Sequence, residues 1–189
     1  MSTLKIKVIV GSTRANRFSE KPAAWILDLA KKRTDLDVEL LDLSDHPLPF
    51  FEEAMPPGLA KDEYSNPVVI KWRDKIREAD GFIICSPEYN HGYPAVLKNA
   101  LDYTYFSWAR KAVAFVSWGG AGGVRAVEQL RLVAIELDMA PTRWAVHIPN
   151  PWFIKDVSEI DTDQNRNSAT ALLDQLTWWA GALKAARKA

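Results

Sequence analysis

Cysteine and histidine are scarce in this chain: one cysteine and three histidines among 189 residues. Cys85 has no partner for an internal disulfide. It stands in the apolar run Gly81–Cys85, where a thiol is expected to act as a small buried hydrophobe of a cytoplasmic protein. His46, His91 and His147 are far apart, so no zinc-type ligand cluster is spelled out and no bound metal is expected. Charge of one sign is not in excess either. Lys plus Arg and Asp plus Glu number 24 each, which argues against nucleic-acid binding and against a strongly acidic carrier. No apolar run approaches the roughly 20 residues that a membrane span needs. Lys5 and Lys7 interrupt the first apolar stretch, unlike the core of a signal peptide. Three motifs are missing as well: the G-x-x-x-x-G-K-[ST] phosphate loop, the G-x-G-x-x-G dinucleotide fingerprint and the G-x-S-x-G nucleophile elbow. Internal repeats and low-complexity tracts are absent, and the length suits one domain, residues 1–189.

What is present is an alternation of two periodicities. Leu4–Val10 alternates and then turns fully apolar, Asp37–Leu43 carries Val38, Leu40, Leu41 and Leu43, and Gly81–Cys85 and Lys111–Trp118 are continuous apolar runs. Together with Thr142–Ile148 these predict five strands, the middle ones buried on both faces. Helical spacing appears over residues 19–33, after the cap-and-start pair Asn66-Pro67, and over 95–108, 122–138 and 168–187. Five strands alternating with five helices predict an α/β, doubly wound parallel sheet, for which the order 2-1-3-4-5 is suitable. The segment 44–65 holds Pro47, Pro49, Pro56 and Pro57 and cannot be a helix interior. It either caps a site or reaches a partner subunit, or it is a surface crossover anchored by Phe50 and Phe51. Eight tryptophans are many for this length. Core packing accounts for most, and a subunit interface is a place for the others.

In a parallel sheet all strand C-termini share one edge, where open α/β sheets bind ligands. Three loops there carry more chemistry than connections need. Gly11-Ser12-Thr13-Arg14-Ala15-Asn16-Arg17-Phe18-Ser19 offers hydroxyls, two guanidinium groups and N–H groups ahead of a helix, a donor set suited to phosphate. Ordinary capping by Ser19 with solvated arginines is the plainer account of the same residues. Ser86-Pro87-Glu88-Tyr89-Asn90-His91-Gly92-Tyr93-Pro94 brings a phenol, an amide, a carboxylate and an imidazole. Tyr89 can stack on a flat ring, Asn90 can bond with either polarity, and Glu88 can fix the loop by accepting N–H groups. Pro94 suits a helix start. Ser117-Trp118-Gly119-Gly120-Ala121-Gly122-Gly123 has four glycines, suited to a close backbone approach or to a flexible turn. A phosphate at one end and a planar heterocycle at the other describe FMN. A receiver domain of the same topology would carry paired acidic residues after the first strand, where this chain has Gly11-Ser12-Thr13.

At Gly11-Ser12-Thr13-Arg14 with Arg17, at Pro87-Glu88-Tyr89-Asn90 continuing to Pro94, and at Leu97-Lys98-Asn99-Ala100-Leu101-Asp102, the chain resembles the NADPH-dependent FMN reductase family of flavodoxin-like proteins. The Gly-rich loop adds to the match, which covers nearly the whole chain. The resemblance implies a flavodoxin-like fold, bound FMN and NADPH or NADH as electron donor. It implies Ser12, Arg14, Arg17 and Ser19 near the phosphate, Phe18 among the cofactor-binding residues, and Pro87, Glu88, Tyr89 and Asn90 along the isoalloxazine. Ser117, Trp118, Gly119 and Gly120 would border its pyrimidine side. The implied reaction passes a hydride from NAD(P)H to flavin N5 and then two electrons to a small acceptor (a quinone, azo compound, free flavin or metal oxyanion) by a ping-pong route, with no catalytic side chain. A homodimer or homotetramer is also implied. A flavodoxin-type electron carrier that serves protein partners is the alternative; zero net charge speaks against it, because docking carriers use a strongly charged face.

Overall fold

The apolar runs form the centre of a parallel sheet. The computed structural model describes residues 3–188. Its elements alternate: β1 Leu4–Val10, α1 Glu20–Lys31, β2 Leu36–Asp42, α2 Pro67–Glu78, β3 Gly81–Pro87, α3 Ala95–Asp102, β4 Ala112–Gly119, α4 Val124–Glu136, β5 Ala140–Pro149 and α5 Asp163–Lys188. All strand pairs are parallel in the order β2-β1-β3-β4-β5, as the alternation predicts. β3 and β4 are buried at every position, so continuous apolar sequence fits them.

Two apolar cores flank the sheet. One packs Trp25 and Ile26 of α1 and Leu172 and Leu176 of α5 against Ile6, Val8 and Ile83. The other packs Trp72 of α2 and Leu97 of α3 with Trp108, Phe82 and Phe115. Trp72 and Trp108 are fully buried, and their indole N–H groups donate to the carbonyls of Ala100 and Leu101 at 2.9 and 3.2 Å. Cys85 is fully buried in mid-sheet between Val10 and Val116, and burial pushes its thiol pKa up. At the opposite end of the sheet from the loops of interest, the buried Lys111 donates to the carbonyls of Ile76 and Arg77 at 2.7 and 3.1 Å. It thereby adds a donor to two carbonyls at the end of α2, of which that of Ile76 also accepts the Ala79 N–H at 3.3 Å.

Some element bounds differ from those expected. α3 stops at Asp102, six residues before Trp108, because the buried Asp62 carboxylate takes the N–H groups of Phe106 and Ser107 at 3.2 and 2.7 Å. Pro94 precedes α3 as its cap residue, with extended backbone, rather than opening it. α5 begins at Asp163 rather than Ser168, and the Thr162 hydroxyl accepts the Asn165 N–H at 3.2 Å. β5 starts at Ala140 and includes Pro141, tolerable because β5 is an edge strand. The Pro-rich segment is a crossover over the second core. Asn99 ties it down, accepting the Phe51 N–H at 2.9 Å and donating to the Pro49 carbonyl at 2.7 Å. Phe51 packs there, whereas Phe50 is 79 % exposed and anchors nothing.

Candidate functional site

The loops after β1, β3, β4 and β5 meet around a cleft of about 270 Å³ at the carboxyl edge of the sheet. Arg14, Arg17, Phe18 and Ser19 come from the first loop, Pro87, Glu88 and Tyr89 from the second, Trp118, Gly119 and Gly120 from the third. Three expected residues, Ser12, Asn90 and Ser117, stand outside its lining.

The first loop is braced from beneath. Arg17 is largely buried; its guanidinium grips both carboxylate oxygens of Asp42 at the end of β2 and donates to the Ser44 hydroxyl at 2.6 Å. A guanidinium so occupied holds the loop in shape. Arg14 is exposed, and its guanidinium makes one long contact, 3.5 Å to the Ala15 carbonyl. The N–H groups of Thr13, Ala15, Asn16, Phe18 and Ser19 have no acceptor among the described residues. Ser19 sits at the cap position of α1 with helical backbone and makes no side-chain cap bond, so ordinary capping does not explain the loop. A free arginine and several free N–H groups ahead of a helix make an anion cradle.

The second loop is held from two sides. The Ser12 and Tyr89 hydroxyls bond at 2.9 Å, linking it to the first loop. The Glu88 carboxylate accepts the Arg125 N–H at 3.1 Å and pairs with its guanidinium at 2.6 Å, capping α4 from outside. Burial opposes ionisation of Glu88, but Arg125 and the helix N–H groups hold its carboxyl below the usual range. Tyr89 and Gly92 exchange backbone bonds at 2.8 and 2.9 Å around a turn in which Asn90 and His91 take φ +49° and +68°. Asn90 and His91 are both exposed.

Trp118 is nearly buried beside the cleft and meets Phe18 edge-on, ring centres 5.9 Å apart. Ser117 lies behind the Gly-rich loop. Its hydroxyl bonds the Gly122 carbonyl at 2.8 Å and His147 Nδ1 at 2.8 Å, and burial lowers the His147 pKa. Gly122 and Gly123 take φ +75° and +78°, and a Cβ at Gly123 would stand 2.7 Å from that of Ser117. Here glycine is needed for a tight left-handed turn, and Gly119 and Gly120 are left to face the cleft.

The loop after β5 was not anticipated. Pro151 and Trp152 line the cleft, and the Asn150 N–H donates to the Gly119 carbonyl at 3.0 Å, fastening this loop to the Gly-rich one. Its signal was the pair Asn150-Pro151 just past a fifth strand, at the same sheet edge as the other three loops. No residue of 44–65 lines the cleft, although Ser44 receives the Arg17 bond. A larger cavity of about 510 Å³ lies elsewhere, between Pro57, Tyr105 and the outer faces of α3 and α4. Its one close ion pair, Lys98 with Asp102 at 2.7 Å, is a helical i,i+4 contact.

The arrangement suits a ligand with an anionic end and a flat end: free donors at one side, Tyr89, Trp118, Phe18 and Trp152 at the other. Among the described residues no group of three or more His, Cys, Asp or Glu is placed to hold a metal ion, and no helix is long and apolar enough to cross a membrane.

Comparison with known proteins agrees with that chemistry. Residues 4–152 match the family described as NADPH-dependent FMN reductase. An NAD(P)H-dependent FMN reductase of Schizosaccharomyces pombe is 40% identical over 157 residues, 82% of this chain and 78% of the relative. An NAD(P)H:quinone oxidoreductase of Solanum tuberosum is 36% identical over 141 residues, covering 72% and 70%. A 2-hydroxy-1,4-benzoquinone reductase of a Burkholderia species is 31% identical over 169 residues, covering 86% and 85%. In fold, the chain superimposes on the flavoenzyme NAD(P)H:(acceptor) oxidoreductase FerB of Paracoccus denitrificans with a TM-score of 0.74 over 95% of this chain and 98% of that one, at 22% identity. A sheet in flavodoxin order, an anion cradle after β1 and the matched length of sequence together make this chain a member of the NADPH-dependent FMN reductase family.

Proposed function

We propose that residues 1–189 act as one FMN-binding domain that oxidises NAD(P)H and reduces a small acceptor of quinone type. One observation carries the reading: the free donors of the β1 loop and the aromatic walls from the other loops face one cleft at the carboxyl edge of the sheet. The net reaction is NAD(P)H, a proton and a quinone giving NAD(P)⁺ and the hydroquinone, two electrons passing in all. Bound FMN supplies the electron-transfer chemistry. The chain supplies the seat. Arg14 and the free N–H groups of Thr13 and residues 15, 16, 18 and 19 hold the phosphate. Arg17, Ser12 and Ser117 keep the loops in shape. Pro87, Glu88, Tyr89 and Asn90 flank the ring system on one side, and Trp118, Gly119 and Gly120 on the other. The N–H groups of Gly120 and Ala121 and the Trp118 indole N–H make no bond among the described residues and are the donors available to a ring carbonyl.

The relatives named above are reductases and not electron carriers, so the carrier reading is not favoured. α4 turns Leu132 and Ile135 outward, 70 % and 62 % exposed, beside the larger cavity. A second copy of the chain covering that face would give the homodimer, which sedimentation in solution tests. The buried, unpaired Cys85 supports a cytoplasmic setting.

The test is the visible spectrum of the protein supplied with FMN, before and after anaerobic NADPH and, in a second sample, NADH. Bands that bind and then bleach are expected; bands that bind and persist would remove the reductase reading. Arg14→Ala is expected to weaken FMN affinity by roughly 10- to 100-fold, the worth of a hydrogen bond to a charged group. An unchanged affinity would take Arg14 out of the phosphate seat.

A further inference from the structure

The geometry points to Trp152 as the residue that selects the acceptor, by stacking its indole on a planar, fused-ring quinone. This inference rests on the reductase reading and deepens it.

The backbone that carries Trp152 is fixed. Asn150 adopts φ +50° and donates to the Gly119 carbonyl at 3.0 Å, Pro151–Phe153 form one tight helical turn, and Lys21 donates to the carbonyls of Ile154 and Lys155 at 3.2 and 2.7 Å. The side chain is not fixed in that way. Trp152 is 64 % exposed, and its aromatic neighbour is Phe153, edge-on at 6.1 Å and itself 72 % exposed. Trp118, also on the cleft, is 3 % exposed and held against Phe18. The cleft therefore has one aromatic wall set into the protein and one at its rim that faces water.

Leaving a large indole in water forgoes the gain from burying it, so a covering partner has something to offer. The site shows what kind of partner fits. Gly120 lies at the edge of the ring without crowding it: a Cβ there would lie 3.6 Å from Trp152 Cη2, ordinary contact. At about 270 Å³ the cleft is slightly smaller than the roughly 300–1,000 Å³ usual for ligand sites. A ligand seated there leaves its outer face to be covered by the rim. A flat two-ring acceptor matches the area of an indole, and offset stacking rewards that match. A compact tetrahedral oxyanion gains nothing from an indole, and the one exposed guanidinium of the cleft, Arg14, belongs to the phosphate end. A planar quinone is thus the acceptor class the rim favours.

The test compares the protein with Trp152→Ala and Trp152→Phe, each loaded with FMN. The first readout is calorimetric titration of the oxidised protein with 2-naphthoate, a flat two-ring compound that accepts no electrons. Trp152→Ala should bind it about 3- to 10-fold more weakly, and Trp152→Phe should recover part of that loss. The second readout is the ratio of kcat/KM for a naphthoquinone to that for a one-ring benzoquinone, which should fall several-fold in Trp152→Ala. Equal 2-naphthoate affinity in the protein and in Trp152→Ala overturns the stacking role alone. A loss of FMN affinity that parallels the loss of 2-naphthoate binding overturns it too, by placing Trp152 in the cofactor's seat. Failure of the unsubstituted protein to bind FMN overturns the reductase reading and this inference with it.

Discussion

Gly123→Ala and Gly120→Ala are the same change three residues apart, and the structure assigns them opposite outcomes. At Gly123 the backbone has φ +78°, a region that costs an L-residue about 1–2 kcal/mol. The new Cβ would also stand 2.7 Å from Ser117 Cβ, 2.8 Å from the Trp118 nitrogen and 2.9 Å from Ser117 Oγ. Favourable contact between carbons needs about 3.5–4.0 Å. The obstacles are a buried strand backbone and a serine already committed to Gly122 and His147. Nothing there yields cheaply, and forced overpacking adds about 1–3 kcal/mol. The total, about 2–5 kcal/mol, corresponds to a fall in Tm of roughly 5–20 °C for a chain of this size. At Gly120 the Cβ meets only Trp152 Cη2 at 3.6 Å, so Gly120→Ala should stay within about 0.5 kcal/mol of the parent without FMN. It should still weaken FMN binding, because Gly120 faces the cleft. Thermal unfolding by circular dichroism, with FMN absent and then present, separates the two effects. A Gly123→Ala protein that melts within 2 °C of the parent would refute the strain argument.

Two predictions concern pH. The folded-state pKa of Glu88 is lowered, so its contribution is present above the ordinary glutamate value of about 4.3 and is lost as pH falls through the folded value. Glu88→Gln should cost about 1 kcal/mol at neutral pH and nothing in strong acid, read from urea midpoints; an equal cost at both ends would mean the charge is idle. Lys111 runs the other way. Burial lowers its pKa to about 7 from an ordinary value of about 10.4, so the unfolded chain binds more protons between those two values. Its cost is fully present below about pH 7 and is relieved as pH rises toward 10, by an amount of order 5 kcal/mol. Lys111→Met should flatten that rise in urea titrations; an unchanged slope would mean Lys111 stays charged when folded.

Much of this was legible in the sequence because it depends on local pattern. Continuous apolar runs marked β3 and β4, Asn66-Pro67 marked the start of α2, and the cap forms as predicted, Asn66 accepting the Val68 N–H at 2.9 Å. The misses depend on partners remote in sequence. α3 ends early because of Asp62, and the Arg17 guanidinium is engaged by Asp42, 25 residues away, while that of Arg14 is not. The second arginine of the loop could not be told from the first without knowing what stood beneath it. Thr162 was a readable cap for α5 that the apolar stripe of that helix obscured. The Trp152 loop carried no glycine, and its one signal was the pair Asn150-Pro151 just past a strand.

Cys85 gives the chain an internal clock. The thiol is enclosed in the middle strand, and burial disfavours its thiolate, the form that electrophiles attack. A quinone that visits the cleft therefore meets no nucleophilic sulfur, and a thiol reagent must wait until the α1 and α5 layer lifts from the face of the sheet. The rate at which a thiol-selective reagent labels this one thiol counts openings of that core, with no second thiol in the chain to confuse the count.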